Sequence, residues 1–239
     1  MTKRYIDKRL SNSPRPRQSV MHPGIFLYKA IKTVCDADIC RVLVLDARVI
    51  KPLDNGHALK CLWLGSEDVV DLMRVSDFAV SQQFVDDFKQ FGFLGVAAVI
   101  DDVFVGMLFL VPDFVVARHN SGGTGFDGIR VTLPKGVYYL FKVVVRPEFR
   151  GMRVNAAMMT FAIEQLGTET LTALVTTTDW TNRAFLKSAA EFGFRRCGIT
   201  AELVVAGMHY YYLPKAMEPV RSEPVSNQAE SRMIQFGRA

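Results

Sequence analysis

Apolar residues run along this chain with two periods. Residues 40–49, 59–64, 93–100, 103–111, 137–145, 171–176, 196–205 and 209–213 form short runs rich in β-branched and aromatic side chains, which predicts strands. Asp101-Asp102 between two of these runs predicts a tight hairpin. Residues 67–74, 81–91, 152–166 and 182–192 carry apolar positions at helical spacing, with a shorter such segment at 25–34. Ser66 is placed to cap the first of these helices, with Glu67 and Asp68 in its first turn; Gly92 and Gly167 are placed to stop the next two. Residues 113–134 make a long connection containing Asn120-Ser121-Gly122-Gly123-Thr124-Gly125, a length that is often functional. The order of elements predicts one α/β (α+β) domain over 21–217, between unfolded ends at 1–20 and 218–239.

Composition narrows the class. The chain has 239 residues and is 49% hydrophobic, enough for a sizeable core. No apolar run reaches membrane-spanning length, and no apolar stretch follows the basic N-terminus as a signal peptide would require, so a cytoplasmic protein is expected. Lys3, Arg4, Lys8, Arg9, Arg15 and Arg17 face only Asp7 in the first twenty residues, so this arm carries the whole net charge of +5. A solvated tail explains such an arm without a nucleic-acid partner, and none is expected. Cys35, Cys40, Cys61 and Cys197 show no CxxC spacing and the four His residues are scattered, so no metal site is expected.

Two segments carry the candidate chemistry. The first is Val143-Val144-Val145-Arg146-Pro147-Glu148-Phe149-Arg150-Gly151-Met152-Arg153-Val154-Asn155-Ala156-Ala157-Met158-Met159. It reads as a buried strand, a turn begun by proline, a basic Gly-containing loop and a helix. Free N–H groups and the positive end of a helix dipole then lie at the strand's end, where an anion such as phosphate binds. The second segment, Asn182-Arg183-Ala184-Phe185-Leu186-Lys187-Ser188-Ala189-Ala190-Glu191-Phe192-Gly193-Phe194, follows an apolar run.

Together these resemble the GNAT superfamily of acetyl-CoA-dependent N-acetyltransferases. Arg150 to Asn155 lie on that family's Arg/Gln-x-x-Gly-x-Gly/Ala loop, and Asn182, Gly193 and Phe194 on its later Asn and Gly-Phe. The resemblance spans residues 64–217 by pattern and 143–194 by motif. It implies a mixed, mostly antiparallel central sheet with helices on both faces. It implies acetyl-CoA as co-substrate, bound by the backbone of Val143, Val144 and Val145, by the loop Arg150, Gly151, Met152, Arg153, Val154 and Asn155, and by Asn182. Three positions depart from the pattern. Arg153 replaces a Gly, Asn155 replaces a Gly or Ala, and Ala189 stands where many members place a Tyr acid, seven residues after the Asn.

With that acid absent, Ser188, Asp179 and Tyr211 are the candidate catalytic residues. The expected reaction is acyl transfer to an amine of a small molecule or of a protein. Two alternatives stay open: a long-chain N-acyl amino acid synthase fed by acyl carrier protein, and a catalytically silent CoA-binding module.

Overall fold

The structure is a computed structural model that describes residues 25, 28, 36–50, 59–120, 131–205, 208–212 and 234–235. The expected arm at 1–20 lies outside them, as does the expected tail apart from Ile234–Gln235, a two-residue strand. Of the expected helix at 25–34 only Ile25 and Tyr28 are described; both are helical and buried.

The elements in chain order are β1 (Asp36–Asp46), β2 (Lys60–Leu64), α1 (Ser66–Leu72), α2 (Gln82–Phe91), β3 (Leu94–Ile100), β4 (Val103–Val111), β5 (Phe114–Val115), β6 (Val131–Thr132), β7 (Val137–Val145), α3 (Val154–Leu166), β8 (Ala173–Asp179), α4 (Arg183–Phe192), β9 (Arg195–Val205) and β10 (Met208–Tyr212). They form a mixed α/β protein with mainly antiparallel strands, in two compact units.

The first unit comprises the described residues within Asp46–Asp113 and Lys135–Leu174. Its sheet has the order β2-β3-β4-β7, each pair antiparallel. β3 and β4 are buried along almost their whole length, which is why they read as continuous apolar runs rather than alternating ones. Asp101 and Asp102 between them both have positive φ, +47° and +61°, the geometry a two-residue hairpin needs and one that Asp tolerates. The Ser81 side chain accepts from Phe84 N at 3.2 Å and starts α2, and Gly92 at φ +64° ends it. Phe84 then packs edge-on against Phe109 at 4.7 Å between ring centroids, and Phe93 against Phe141 at 5.0 Å. α3 is apolar nearly all round because most of it is buried, from Val154 through Ile163.

The second unit comprises the described residues within Pro16–Leu45, Phe114–Pro134 and Val175–Ala239. Here β10 pairs with β9 and β9 with β1, both antiparallel, and β8 lies next to β1. β8 alternates: Thr176 and Thr178 are buried, while Val175, Thr177 and Asp179 are half-buried. β5 and β6 form a separate antiparallel pair inside the connection read from sequence as one long loop. Residues 121–130 of that loop lie outside the described residues.

Several expected boundaries move for local reasons. The strand expected at 40–49 starts at Asp36 and stops at Asp46, whose carboxylate accepts Arg48 N at 3.0 Å and turns the chain. Ser66 does not cap α1. Gly65 does, with its N–H donating to the Asp68 carboxylate at 2.8 Å. The strand expected at 171–176 lies at Ala173–Asp179. α3 starts at Val154 rather than Met152, because Arg153 is left-handed.

Candidate active site

β7, the loop after it and α3 belong to the first unit and build the candidate donor site. β7 ends with Val143, Val144 and Val145 half-buried, not fully buried as the apolar run suggested. Arg146 N donates to Val105 O at 2.9 Å and carries the pairing with β4 one residue further. Pro147 then starts a single 3-10 turn, closed by Phe149 N on Arg146 O at 3.0 Å and Arg150 N on Pro147 O at 3.3 Å.

The loop that follows uses two left-handed residues, Gly151 at φ +87° and Arg153 at φ +57°. Arg153 therefore adopts the conformation that a glycine would take without strain, at a cost of about 1–2 kcal/mol for a residue with a Cβ. Its carbonyl accepts the first intrahelical bond of α3, from Ala157 N at 3.0 Å, and the Arg153 side chain makes no capping bond of its own. The N–H groups of Val154, Asn155 and Ala156 precede that first bond and point out of the helix end. Arg150, Gly151, Met152 and Arg153 are exposed, Asn155 is half-buried and Val154 is buried. Arg150 Nε donates to Val145 O at 3.3 Å, which folds its guanidinium back over the strand end. Neither Arg150 nor Arg153 pairs with a carboxylate among the described residues, whereas Arg146 is held by Asp77 and Glu148.

A second charged group stands on β7. Lys142 has φ +49° at a bulge in the pairing with β4, where Met107 faces Val144 but Phe109 faces Phe141. Burial pushes its ammonium below the ordinary lysine range. Its partners lie far away along the chain, so no sequence pattern pairs it with them.

The other candidate residues belong to the second unit. Asp179 ends β8, and its Oδ1 accepts from Thr181 N at 2.7 Å and Thr181 Oγ1 at 2.6 Å. Its Oδ2 lies 3.4 Å from the Tyr28 hydroxyl, which also lies 3.3 Å from Asp38 Oδ1. One hydroxyl hydrogen serves one carboxylate at a time, so Tyr28 bridges two acids, and the Tyr28 oxygen in turn accepts from Ile39 N at 3.0 Å. Tyr28 and Asp38 were not legible as partners of Asp179. Asn182 caps α4: its Oδ1 accepts from Phe185 N at 3.2 Å, and its Nδ2 donates to Thr178 Oγ1 at 3.3 Å. Ser188 is half-buried on α4, beside Ala189, the buried residue of that helix. Tyr211 stands on β10 opposite Glu202 of β9. No group of His, Cys, Asp and Glu able to hold a metal occurs among the described residues, and no described helix is long and apolar enough to cross a membrane.

The family model of the acetyltransferase (GNAT) family matches residues 66–204, more than half of the chain. A search of curated proteins found no match. Among solved structures, a Drosophila protein is similar at 12% identity and a TM-score of 0.50, over 77% of this chain and 58% of that one. A GCN5-related N-acetyltransferase from Kribbella flavida is similar at 13% identity and a TM-score of 0.45, over 75% and 62%. A tandem GNAT protein from the clavulanic acid biosynthesis pathway is similar at 15% identity and a TM-score of 0.45, over 79% and 61%. The chain thus spans less than two thirds of the length of each of these, and the likeness to the Drosophila protein is one of fold.

Proposed function

The chain belongs to the GNAT acetyltransferase family, and from this premise we propose that it transfers an acyl group, acetyl first among the candidates, from CoA to an amine. One observation carries the reading. β7 runs into a loop whose two left-handed residues, Gly151 and Arg153, lead directly into the first turn of a mostly buried helix. A pyrophosphate there would meet the N–H groups of Val154, Asn155 and Ala156 and the positive end of the α3 dipole. Arg150 and Arg153 would add charge-assisted hydrogen bonds. The exposed Gly151 has nothing within 4 Å of a would-be Cβ, so the loop is open on that side. The backbone of Val143, Val144 and Val145 would carry the pantetheine arm.

Acetyl-CoA, bound in this way, supplies an activated thioester. Transfer breaks its C–S bond and forms a C–N bond to a neutral amine, and the amine's surplus proton passes to solvent or to the departing thiolate. A thiol with a pKa of about 8.5 leaves as thiolate without a strong acid, so Ala189 in place of a tyrosine is compatible with turnover. The protein's own part is to bind and orient the donor through β7 and the loop. Ser188, Asp179 and Tyr211 remain the residues proposed for proton handling, and Asn182 a further proposed donor contact.

A second reading is favoured by two exposed arginines, Arg150 and Arg153, that pair with no carboxylate among the described residues. An acidic acyl carrier protein would pair with Arg150 and Arg153 while only its phosphopantetheine entered. Calorimetry with CoA, acetyl-CoA and a long-chain acyl carrier protein, followed by thiol release against an amine panel, tests both readings. Absence of any heat or thermal shift at millimolar CoA would remove the first.

A further inference from the structure

Lys142 sits where two residues of β7 face Leu108 of β4 alone, and it is the residue of β7 with a left-handed backbone, φ +49°. Its side chain leaves the strand and reaches the segment before α2. Nζ donates to Ala79 O at 2.8 Å and stands 5.1 Å from the centroid of the Phe84 ring. Ala79 is itself left-handed, φ +46°, and closes the 3-10 turn Ser76–Phe78. Four residues after Lys142, Arg146 reaches the same turn, with Nε 3.0 Å from Asp77 Oδ2 in an ion pair rather than an aligned hydrogen bond. Lys142 of β7 and Arg146 just after it thus hold residues 77–79 from either side of Val143, Val144 and Val145 along the chain.

Neither lysine nor alanine favours a left-handed backbone, and such residues persist only where their surroundings over-determine them. Here one hydrogen bond joins the two. Packing alone would not call for an ammonium beside Phe84, since an apolar side chain would fill that space without desolvating a charge. What the ammonium adds is geometry. It fixes the bulge that takes Lys142 and Val143 out of the regular ladder, on the strand proposed to carry the donor.

We infer that Lys142 is a positioning residue: through Ala79 it fixes the bulge of β7 and the turn at residues 76–79 beside the acyl end of the donor, and so places the reacting carbonyl rather than binding CoA. This rests on the donor site proposed above.

The test uses the full chain with Lys142→Met, which keeps the apolar stem, and Lys142→Arg, which restores a cation. CoA affinity in Lys142→Met should stay within about twofold of wild type, because the phosphate loop is untouched, while kcat for thiol release from acetyl-CoA against the amine panel should fall at least about tenfold. Amide exchange in peptides covering 75–81 should rise at least about tenfold, with exchange in α3 unchanged. Lys142→Arg should recover most of both. Wild-type turnover and exchange in Lys142→Met would overturn the inference, and so would a loss of CoA affinity as large as the loss of turnover, or slow exchange with no rescue by arginine. Failure of wild-type protein to bind CoA would overturn the donor site and this role of Lys142 together. Intact CoA binding with an unaffected Lys142→Met overturns Lys142 alone.

Discussion

Gly106 and Val154 approach so closely that a Cβ on the glycine would stand 2.9 Å from Val154 Cγ1. The same Cβ would lie 3.2 Å from Met158 Cε and 3.2 Å from Val144 O. β4 therefore meets the first turn of α3 at a point where only hydrogen fits, and this contact sets the helix end against β7. Gly106→Ala should destabilise the protein by about 1–3 kcal/mol, the usual scale of overpacking. It should also weaken CoA, because the helix end would be pushed from β7. Denaturant unfolding and calorimetry check the two effects; a stable variant with unchanged affinity would show that the helix end does not hold the phosphates.

Arg150 and Arg153 separate binding from folding. Arg150 is exposed and donates to Val145 O, so Arg150→Ala should leave stability almost unchanged and cost about 1–3 kcal/mol of CoA affinity. Arg153→Gly relieves a left-handed residue but loosens the unfolded chain, so stability should stay within about 1 kcal/mol of wild type. CoA affinity should nevertheless fall, because a guanidinium suits phosphate better than a bare loop does. Tighter CoA binding in Arg153→Gly would mean that this side chain obstructs the site.

How far the sequence could be read depends on how local each cause is. The bounds of β7 and the stop at Gly92 follow from residues within a turn of the feature they explain, and the structure places them as expected, while Ser81 and Asn182, read as first helical residues, are caps instead. The start of α3 did not follow, because a left-handed Arg153 breaks the rule that such sites take glycine. The Lys142–Ala79 bond joins residues 63 apart, and the Tyr28–Asp179 contact residues 151 apart. No periodicity encodes pairings of that length. The proton-handling roles proposed for Ser188, Asp179 and Tyr211 rest on less, since these are ordinary residue types in ordinary elements, with no spacing rule to mark them.

Ser188 and Ala189 sit side by side on α4 but answer different questions. Ser188→Ala should change turnover only modestly, since a hydroxyl is a poor acid for a thiolate that needs little help. A loss of a hundredfold or more would instead make Ser188 catalytic. Ala189 stands where many members of the family place a tyrosine, yet it is 1% exposed and is the buried residue of α4. Ala189→Tyr should therefore overpack the core and destabilise by about 1–3 kcal/mol or more, whatever it does to the rate. Thermal unfolding of this variant decides the point, and an unchanged melting temperature would show that the helix has room.

Alkaline pH should expose the burial of Cys61. This thiol is half-buried on β2, and desolvation pushes its pKa up from 9.0 to about 11. In the unfolded chain the thiol ionises near 9.0, while in the folded chain it keeps its proton to about 11. Between those values the folded state binds more protons, so stability is full below the lower value and falls as pH rises through the upper one. Tyr138, raised by burial and by Asp113, acts in the same direction at higher pH. Lys142 acts oppositely: burial lowers it, the unfolded state binds the extra proton, and stability gains as pH rises. These opposed titrations make the wild-type profile alone ambiguous, so the difference between wild type and Cys61→Ala is the measurement. The variant should lose less stability than wild type between pH 9 and 11, in addition to a constant offset for the lost side chain. Alkylation gives an independent check. Among the described cysteines, exposed Cys197 should react before Cys61, and Cys61 only as the pH approaches its raised pKa, with buried Cys40 slow throughout. Rapid labelling of Cys61 at pH 8 would show that β2 is more open than this packing allows.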